Sequence, residues 1–309
     1  MKAKTKLTWE REGFGGYFYE APDSRKAMVV LLGDDGNDFM DTSCAKWLTR
    51  AQNCNALCVA LRRSKKDESG IHCWELEQVE KAVRWLFEQG MEKVGLLGMS
   101  IQGAMALTAA SLIPQVSLVI AMSPCDFVPW GFVHGKIGKD RDGEWPSGTS
   151  AFSWKGQELP FQPAGLGKEA YWQMYCDARK QYREMHSKTV FEYSEQAHPV
   201  AEEAFIKGEH IRGKVVLTGA EDDSMWDSVR YMERMKERLL KKGFAEGVQV
   251  FRYPYGTHLL VPERWLRMAI PVAGDLLSRL FISGRKHPAQ CRQAREDLEQ
   301  KLTSVMEKW

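Results

Sequence analysis

No apolar run in this sequence approaches the roughly 18 residues that a membrane-crossing helix needs, and the opening stretch MKAKTKLTWEREG lacks the apolar core of a secretory leader. No membrane span is expected. Neither sign of charge is in excess: 43 Lys and Arg against 41 Asp and Glu leave a formal net charge of +2, which gives no general attraction to nucleic acid or to an anionic membrane. No cysteine stands at zinc-finger spacing from a histidine, so no metal site is expected. The seven cysteines (44, 54, 58, 73, 125, 176 and 291) are odd in number and scattered. That is reduced, intracellular usage, and a cytoplasmic setting is the expectation.

What is present fits a soluble globular protein. The chain has 309 residues, 44% apolar and 27% charged, enough for one large α/β domain. Leu7 to Tyr19 alternates loosely around EGFGG and predicts an antiparallel hairpin at a sheet edge. Ala27 to Leu32 and Ala56 to Leu61 are continuous apolar runs, as expected for parallel strands covered on both faces. A helix is expected through about Thr42 to Ala51. Trp74, Val79, Ala82, Val83, Leu86 and Phe87 recur at helical spacing up to Gly90. Further strands are expected at Val94 to Leu97, Val116 to Met122, Gly213 to Thr218 and Val248 to Tyr253, with helices after Ser100, around Ser228 to Leu240, and from Glu263 to Phe281. Such alternation makes right-handed βαβ units and a mostly parallel sheet flanked by helices.

The expected organisation is one domain over 1–309. An N-terminal hairpin occupies 1–26, the core 27–123 and 209–283, an insertion 124–208, and a C-terminal helix 284–309. The insertion is rich in aromatics, including tryptophans 130, 145, 154 and 172, with one helix expected from Lys168 to Met185. It either caps a pocket as a lid or uses its aromatics as a small core of its own. In the last helix, Ala294, Leu298, Leu302, Val305 and Trp309 form an apolar stripe that either packs back on the domain or pairs with a second copy to make a homodimer.

Chemistry concentrates in the loops that follow the strands. Gly98-Met99-Ser100-Ile101-Gln102-Gly103 follows a strand and opens a helix, the setting of a nucleophile elbow, although the second glycine lies one place later than in G-x-S-x-G. Ser100 would be lifted clear of the backbone beside the positive end of that helix. Asp222 and Asp223 follow the Gly213 strand, and His258 follows the Val248 strand. The order Ser, Asp, His at the carboxyl edge of a parallel sheet suits an imidazole that takes the serine proton and a carboxylate that fixes the imidazole. The expected oxyanion donors are the backbone N–H groups of Ile101 and Asp34. The acidic Asp34 side chain would have to point away from the developing charge, and Asp34 and Asp35 could instead cap the next helix.

With these residues the sequence resembles an α/β-hydrolase. Within that fold it resembles the catalytic domain shared by acyl-CoA thioester hydrolases and bile acid-CoA:amino acid N-acyltransferase. The resemblance rests on VGLLGMS, SAFSWKGQELPF, GAEDDSMW and YPYGTHLLVPE, and spans about residues 27 to 270. The family pattern has a tryptophan three residues after its second Asp; Trp226 stands so after Asp223, which implies Asp223 as the acid, while counting from Gly219 favours Asp222. Gln102 stands where the family usually has glycine. The acyltransferase branch looks to use cysteine where Ser100 stands, so the resemblance implies hydrolysis before amino-acid conjugation. Two-domain members place a β-sandwich ahead of this domain, and its recognition of coenzyme A is not carried over.

The expectation is therefore a single-domain serine hydrolase, with the insertion 124–208 as its lid, using Ser100, Asp223 and His258 on a small-molecule acyl thioester or ester, without metal or organic cofactor. An esterase or dienelactone-hydrolase-like enzyme, an N-acyltransferase and a silent binding protein of the same fold are the alternatives. For an acyl-CoA, Arg62, Arg63, Lys65 and Lys66 are candidates to meet the phosphates.

Overall fold

A strand covered on both faces sends alternate side chains to opposite cores, and this is how the apolar runs are used. The computed structural model describes residues 4–62, 70–134, 144–244, 247–268 and 272–309. Among them, one eight-stranded sheet contains β1 (Lys4–Leu7), β2 (Gly15–Tyr19), β3 (Lys26–Leu31), β4 (Asn55–Ala60), β5 (Lys93–Met99), β6 (Leu118–Met122), β7 (Lys214–Ala220) and β8 (Val248–Tyr253). Their order is β1-β2-β4-β3-β5-β6-β7-β8. From β4 to β8 every pairing is parallel, while β1 and β2 form an antiparallel edge. Val29, Leu31, Leu57 and Val59 face a core shared with helices Glu77–Glu88, Ile101–Leu112 and Ser228–Lys241. Met28, Val30, Ala56 and Cys58 face a second core with helices Phe39–Ala51 and Pro288–Lys308.

Four expectations change. The hairpin does not turn at EGFGG: its centre is a short helix, Trp9–Glu12, closed by Gly13 in the left-handed region, and the next two glycines lie in β2. Trp74 is not on the following helix but in a short strand that pairs with Phe152 of the insertion. The helix expected from Glu263 to Phe281 is broken into Glu263–Arg267 and Ala273–Ser278. Residues 269–271 between them lie outside the described residues. The insertion holds two helices, Lys168–Tyr182 and Lys188–Ala197, with Arg183 in the left-handed region ending the first.

The insertion is anchored rather than free-standing. Trp130–His134 pairs with Glu144–Ser150 and with Gly70–Ile71; Phe152–Trp154 pairs with Gln157–Glu158 and with Trp74–Glu75. Trp130 is buried against both Tyr171 and Phe191, so these aromatics do form a core, while Trp145, Trp154 and Trp172 are half-buried. Below it, Arg234 holds buried Asp126 through two bonds of 2.5 and 2.6 Å, and Glu195 accepts from Arg230, Arg234 and Tyr231. The C-terminal helix packs back on the domain: Leu298, Leu302 and Trp309 are buried in the second core, and the Trp309 indole donates to Ser117 Oγ at 2.9 Å. The apolar stripe is covered by its own chain.

The helix Phe39–Ala51 is capped by Asp38, whose Oδ1 accepts from the Asp41 N–H at 2.9 Å; neither Asp34 nor Asp35 fills that role. Asp41 is fully buried and accepts from the Gly33 N–H at 3.3 Å. Burial, reinforced by the Asp38 carboxylate, pushes the Asp41 carboxyl well above its ordinary range. An acid whose folded pKa is raised stabilises the fold below its unfolded value, about 4, and that stability is lost as pH rises toward the folded pKa. Asp41→Asn is expected to remove this decline. Between about pH 4 and 8 the wild type should lose up to about 1.4 kcal/mol per pH unit relative to the variant until Asp41 ionises. Urea midpoints across that range measure it, and parallel curves would refute it.

Candidate active site

The loops after β5, β6, β7 and β8 meet at the carboxyl edge of the sheet. Ser100 follows β5 with φ 61° and ψ −131°, outside the regions a side-chain-bearing residue ordinarily occupies, and opens the helix Ile101–Leu112. Its N–H donates to the Met122 carbonyl at the end of β6, 2.8 Å away. The turn is so tight that a Cβ on Gly98 would run into the Gln102 carbonyl oxygen. The displaced glycine has its own purpose, since a Cβ on Gly103 would lie 3.2 Å from the Met122 carbonyl and 3.3 Å from the Pro124 side chain. It lets the helix sit close against the end of β6.

The structure brings Ser100, His258 and Asp223 into one hydrogen-bonded row. His258 Nε2 lies 2.8 Å from Ser100 Oγ, and Nδ1 lies 2.8 and 3.0 Å from the two oxygens of Asp223. His258 and Asp223 are both buried. Asp223 Oδ1 also accepts from the Met225 N–H at 2.9 Å. Asp222 turns the other way: its carboxylate accepts from the N–H groups of Gly256 and Thr257, the latter at 2.8 Å. Thr257 is β-branched yet holds φ 62°, so Asp222 clamps the strained residue that precedes the histidine. Burial raises the Asp222 carboxyl above its ordinary range, opposed by hydrogen bonds from Ser283 and from the two backbone groups.

Two further residues cage the imidazole. Ser123, at φ 45°, donates its N–H to the Thr218 carbonyl and its hydroxyl to the His258 carbonyl at 3.2 Å. The Trp226 ring stands edge-on to His258 with centroids 4.9 Å apart, and its indole N–H donates to the Ser123 carbonyl at 3.1 Å. Sequence reasoning singled out Trp226 as a spacing marker only and passed over Ser123. Their signal would have been a serine and a tryptophan beside strand ends, which is too common to read.

Among the described residues, the N–H groups of Ile101 and Asp34 donate to no protein group. The Asp34 carboxylate is turned toward Arg62, whose Nη2 lies 2.6 Å away. Arg62 is thus already engaged, and Arg63, Lys65 and Lys66 lie outside the described residues. Gln102 puts its amide on the Leu32 carbonyl at 3.0 Å, joining the first turn of the elbow helix to the loop that carries Asp34. The described residues contain no group of three or more His, Cys, Asp and Glu side chains able to hold a metal ion. Chemically, an imidazole so placed can accept the Ser100 proton, and a carboxylate on its far nitrogen can stabilise the imidazolium.

No curated protein sequence matches the chain. An esterase of Pyrococcus furiosus, Pf2001, superposes in two of its crystal forms with TM-scores of 0.54 and 0.55 at 12% identity. The overlap covers 99% of this chain and 90 and 92% of the esterase. At that identity the likeness establishes the fold. Residues 74–263 match the family described as BAAT / acyl-CoA thioester hydrolase C terminal. That segment is more than half of the sequence and contains Ser100, Asp223 and His258, and the chain belongs to this family, with the α/β-hydrolase fold.

Proposed function

We propose that the protein is a serine hydrolase that cleaves an activated acyl group, with an acyl-CoA thioester as its substrate class. The row Ser100–His258–Asp223 is the observation that carries this reading. Ser100 Oγ attacks the acyl carbonyl as its proton passes to His258 Nε2, and the oxyanion forms beside the N–H groups of Ile101 and Asp34. The C–S bond breaks, the leaving thiolate takes the proton from Nε2, and an acyl-serine remains. Water then attacks with His258 again as base, releasing the carboxylic acid and restoring the serine. Asp223 orients the imidazole and offsets its charge. Asp222 and Gln102 are positioning residues, the first for the histidine loop and the second for the oxyanion loop. Small carboxylic esters are the second substrate class, supported by the fold shared with the Pyrococcus furiosus esterase.

Asp223→Asn should lower kcat by roughly 10³–10⁴-fold, through loss of imidazolium stabilisation and the wrong tautomer. Asp222→Asn should cost roughly ten- to a hundredfold, by loosening the loop. Steady-state rates on one substrate compare them, and a larger loss at Asp222 would reverse the two roles. Gln102→Gly, which restores the family residue, should lower kcat roughly tenfold with KM little changed, because the hole it positions acts on the transition state. An unchanged kcat would remove Gln102 from the machinery.

The substrate class is tested by kcat/KM on acyl-CoA thioesters from short to long beside matched p-nitrophenyl esters, with Ser100→Ala as the blank. Serine-dependent preference for the thioesters is expected. Activity confined to the esters would move the protein to the second class. No activity on either, together with no fluorophosphonate labelling of Ser100, would overturn the serine hydrolase reading.

A further inference from the structure

Large apolar side chains are left exposed at few positions among the described residues, and four of them come together on one shoulder of the molecule. Val272, Leu276 and Leu280 are 55, 53 and 43% exposed and Tyr182 is 40% exposed. Val272 and Leu276 are one helical turn apart, with the Leu276 N–H on the Val272 carbonyl. The end of the helix Lys168–Tyr182 is stitched to the turn after Ala273–Ser278: the Met185 N–H donates to the Leu280 carbonyl, and the Ile282 N–H to Glu184. Arg285 closes the seam by donating to the carbonyls of both Arg183 and Arg279, at 2.6 Å each. Tyr182 and Leu280 therefore flank a single seam.

The segments that carry this apolar patch are rich in exposed cations. Arg179, Lys180, Arg183, Arg279, Arg285 and Lys286 are all exposed on the stitched segments. Of the four acids there, Glu169, Asp177, Glu184 and Asp275, two are occupied: Glu184 takes the Ile282 N–H, and Asp275 pairs with Arg292 and Arg295. The excess positive charge of the two segments is larger than the net charge of the whole chain. The patch also adjoins the proposed site. Ser224, next to Asp223, donates its hydroxyl to the Met185 carbonyl at 2.8 Å and accepts the Ser187 N–H, so one short turn separates the acid loop from the seam.

We infer that this shoulder, Val272, Leu276, Leu280 and Tyr182 together with the exposed arginines and lysines of the same segments, docks on the surface of an anionic lipid bilayer. Apolar side chains that reach the acyl boundary, flanked by cations at headgroup level, are what an interfacial contact requires. Each Lys or Arg near an anionic surface adds attraction that fades within a Debye length. Docked in this way, the protein would hold the proposed site against the phase in which long acyl groups accumulate.

Cosedimentation of the full chain with phosphatidylcholine vesicles, with and without phosphatidylglycerol, at low and high salt, tests this. Binding is expected only with the anionic lipid and should fall steeply with salt. Arg279→Glu combined with Lys286→Glu should weaken it at least about tenfold, and Leu276→Ser combined with Leu280→Ser should weaken it by a comparable factor, with thermal midpoints confirming that both variants fold. Failure of the wild type to bind anionic vesicles would overturn the inference. So would equal binding by both variants, or a wild-type dimer in buffer that the Leu276→Ser, Leu280→Ser variant dissociates, since the patch would then join two copies.

Discussion

Three side-chain-bearing residues hold positive φ around the imidazole, and the site depends on how they are restrained. Ser100, Ser123 and Thr257 stand at 61, 45 and 62°, and each such residue costs of order 1–3 kcal/mol unless its surroundings fix it. Each is tied by its N–H to the neighbouring connection. Ser100 bonds to Met122 at the end of β6, Ser123 to Thr218 in β7, and Thr257 to the Asp222 carboxylate after β7. The strained turns thus form a relay across the carboxyl edge, and the parallel register of β5, β6 and β7 sets the spacing between them. Serine, acid and histidine, far apart in sequence, inherit that spacing.

The aromatic insertion rests on this relay. Trp226 touches His258 on one side and Phe191 on the other, and Phe191 meets Trp130. Buried rings therefore run from the insertion core to the imidazole. With Glu195 and Asp126 bound by the arginines of the helix Ser228–Lys241, the insertion is fastened to the sheet by both packing and charge. The insertion's buried rings thus make a core of their own that reaches the imidazole.

Legibility followed the length and regularity of each signal. The strands of the parallel sheet were readable because a continuous apolar run bounded by turn residues has few other uses, and the elbow because a serine between such a run and an alanine-rich helix is a narrow pattern. Short elements escaped. Trp74 fits helical spacing but sits in a two-residue strand whose partner, Phe152, is remote in sequence. Asp222 and Asp223 are chemically identical neighbours, and the structure separates them by their partners: Asp223 takes His258 Nδ1 and the Met225 N–H, Asp222 the N–H groups at 256 and 257. Gln102 read as a departure from pattern because its partner is a main-chain carbonyl, which no residue type announces.

That glutamine has a consequence of its own. With glycine at 102, the helix after Ser100 and the loop after β3 would lack this side-chain tie. Here one amide spans from the elbow helix to Leu32. The spacing between that helix and that loop thereby rests on a single side chain, which a point mutation could alter while serine, aspartate, histidine and sheet stay untouched.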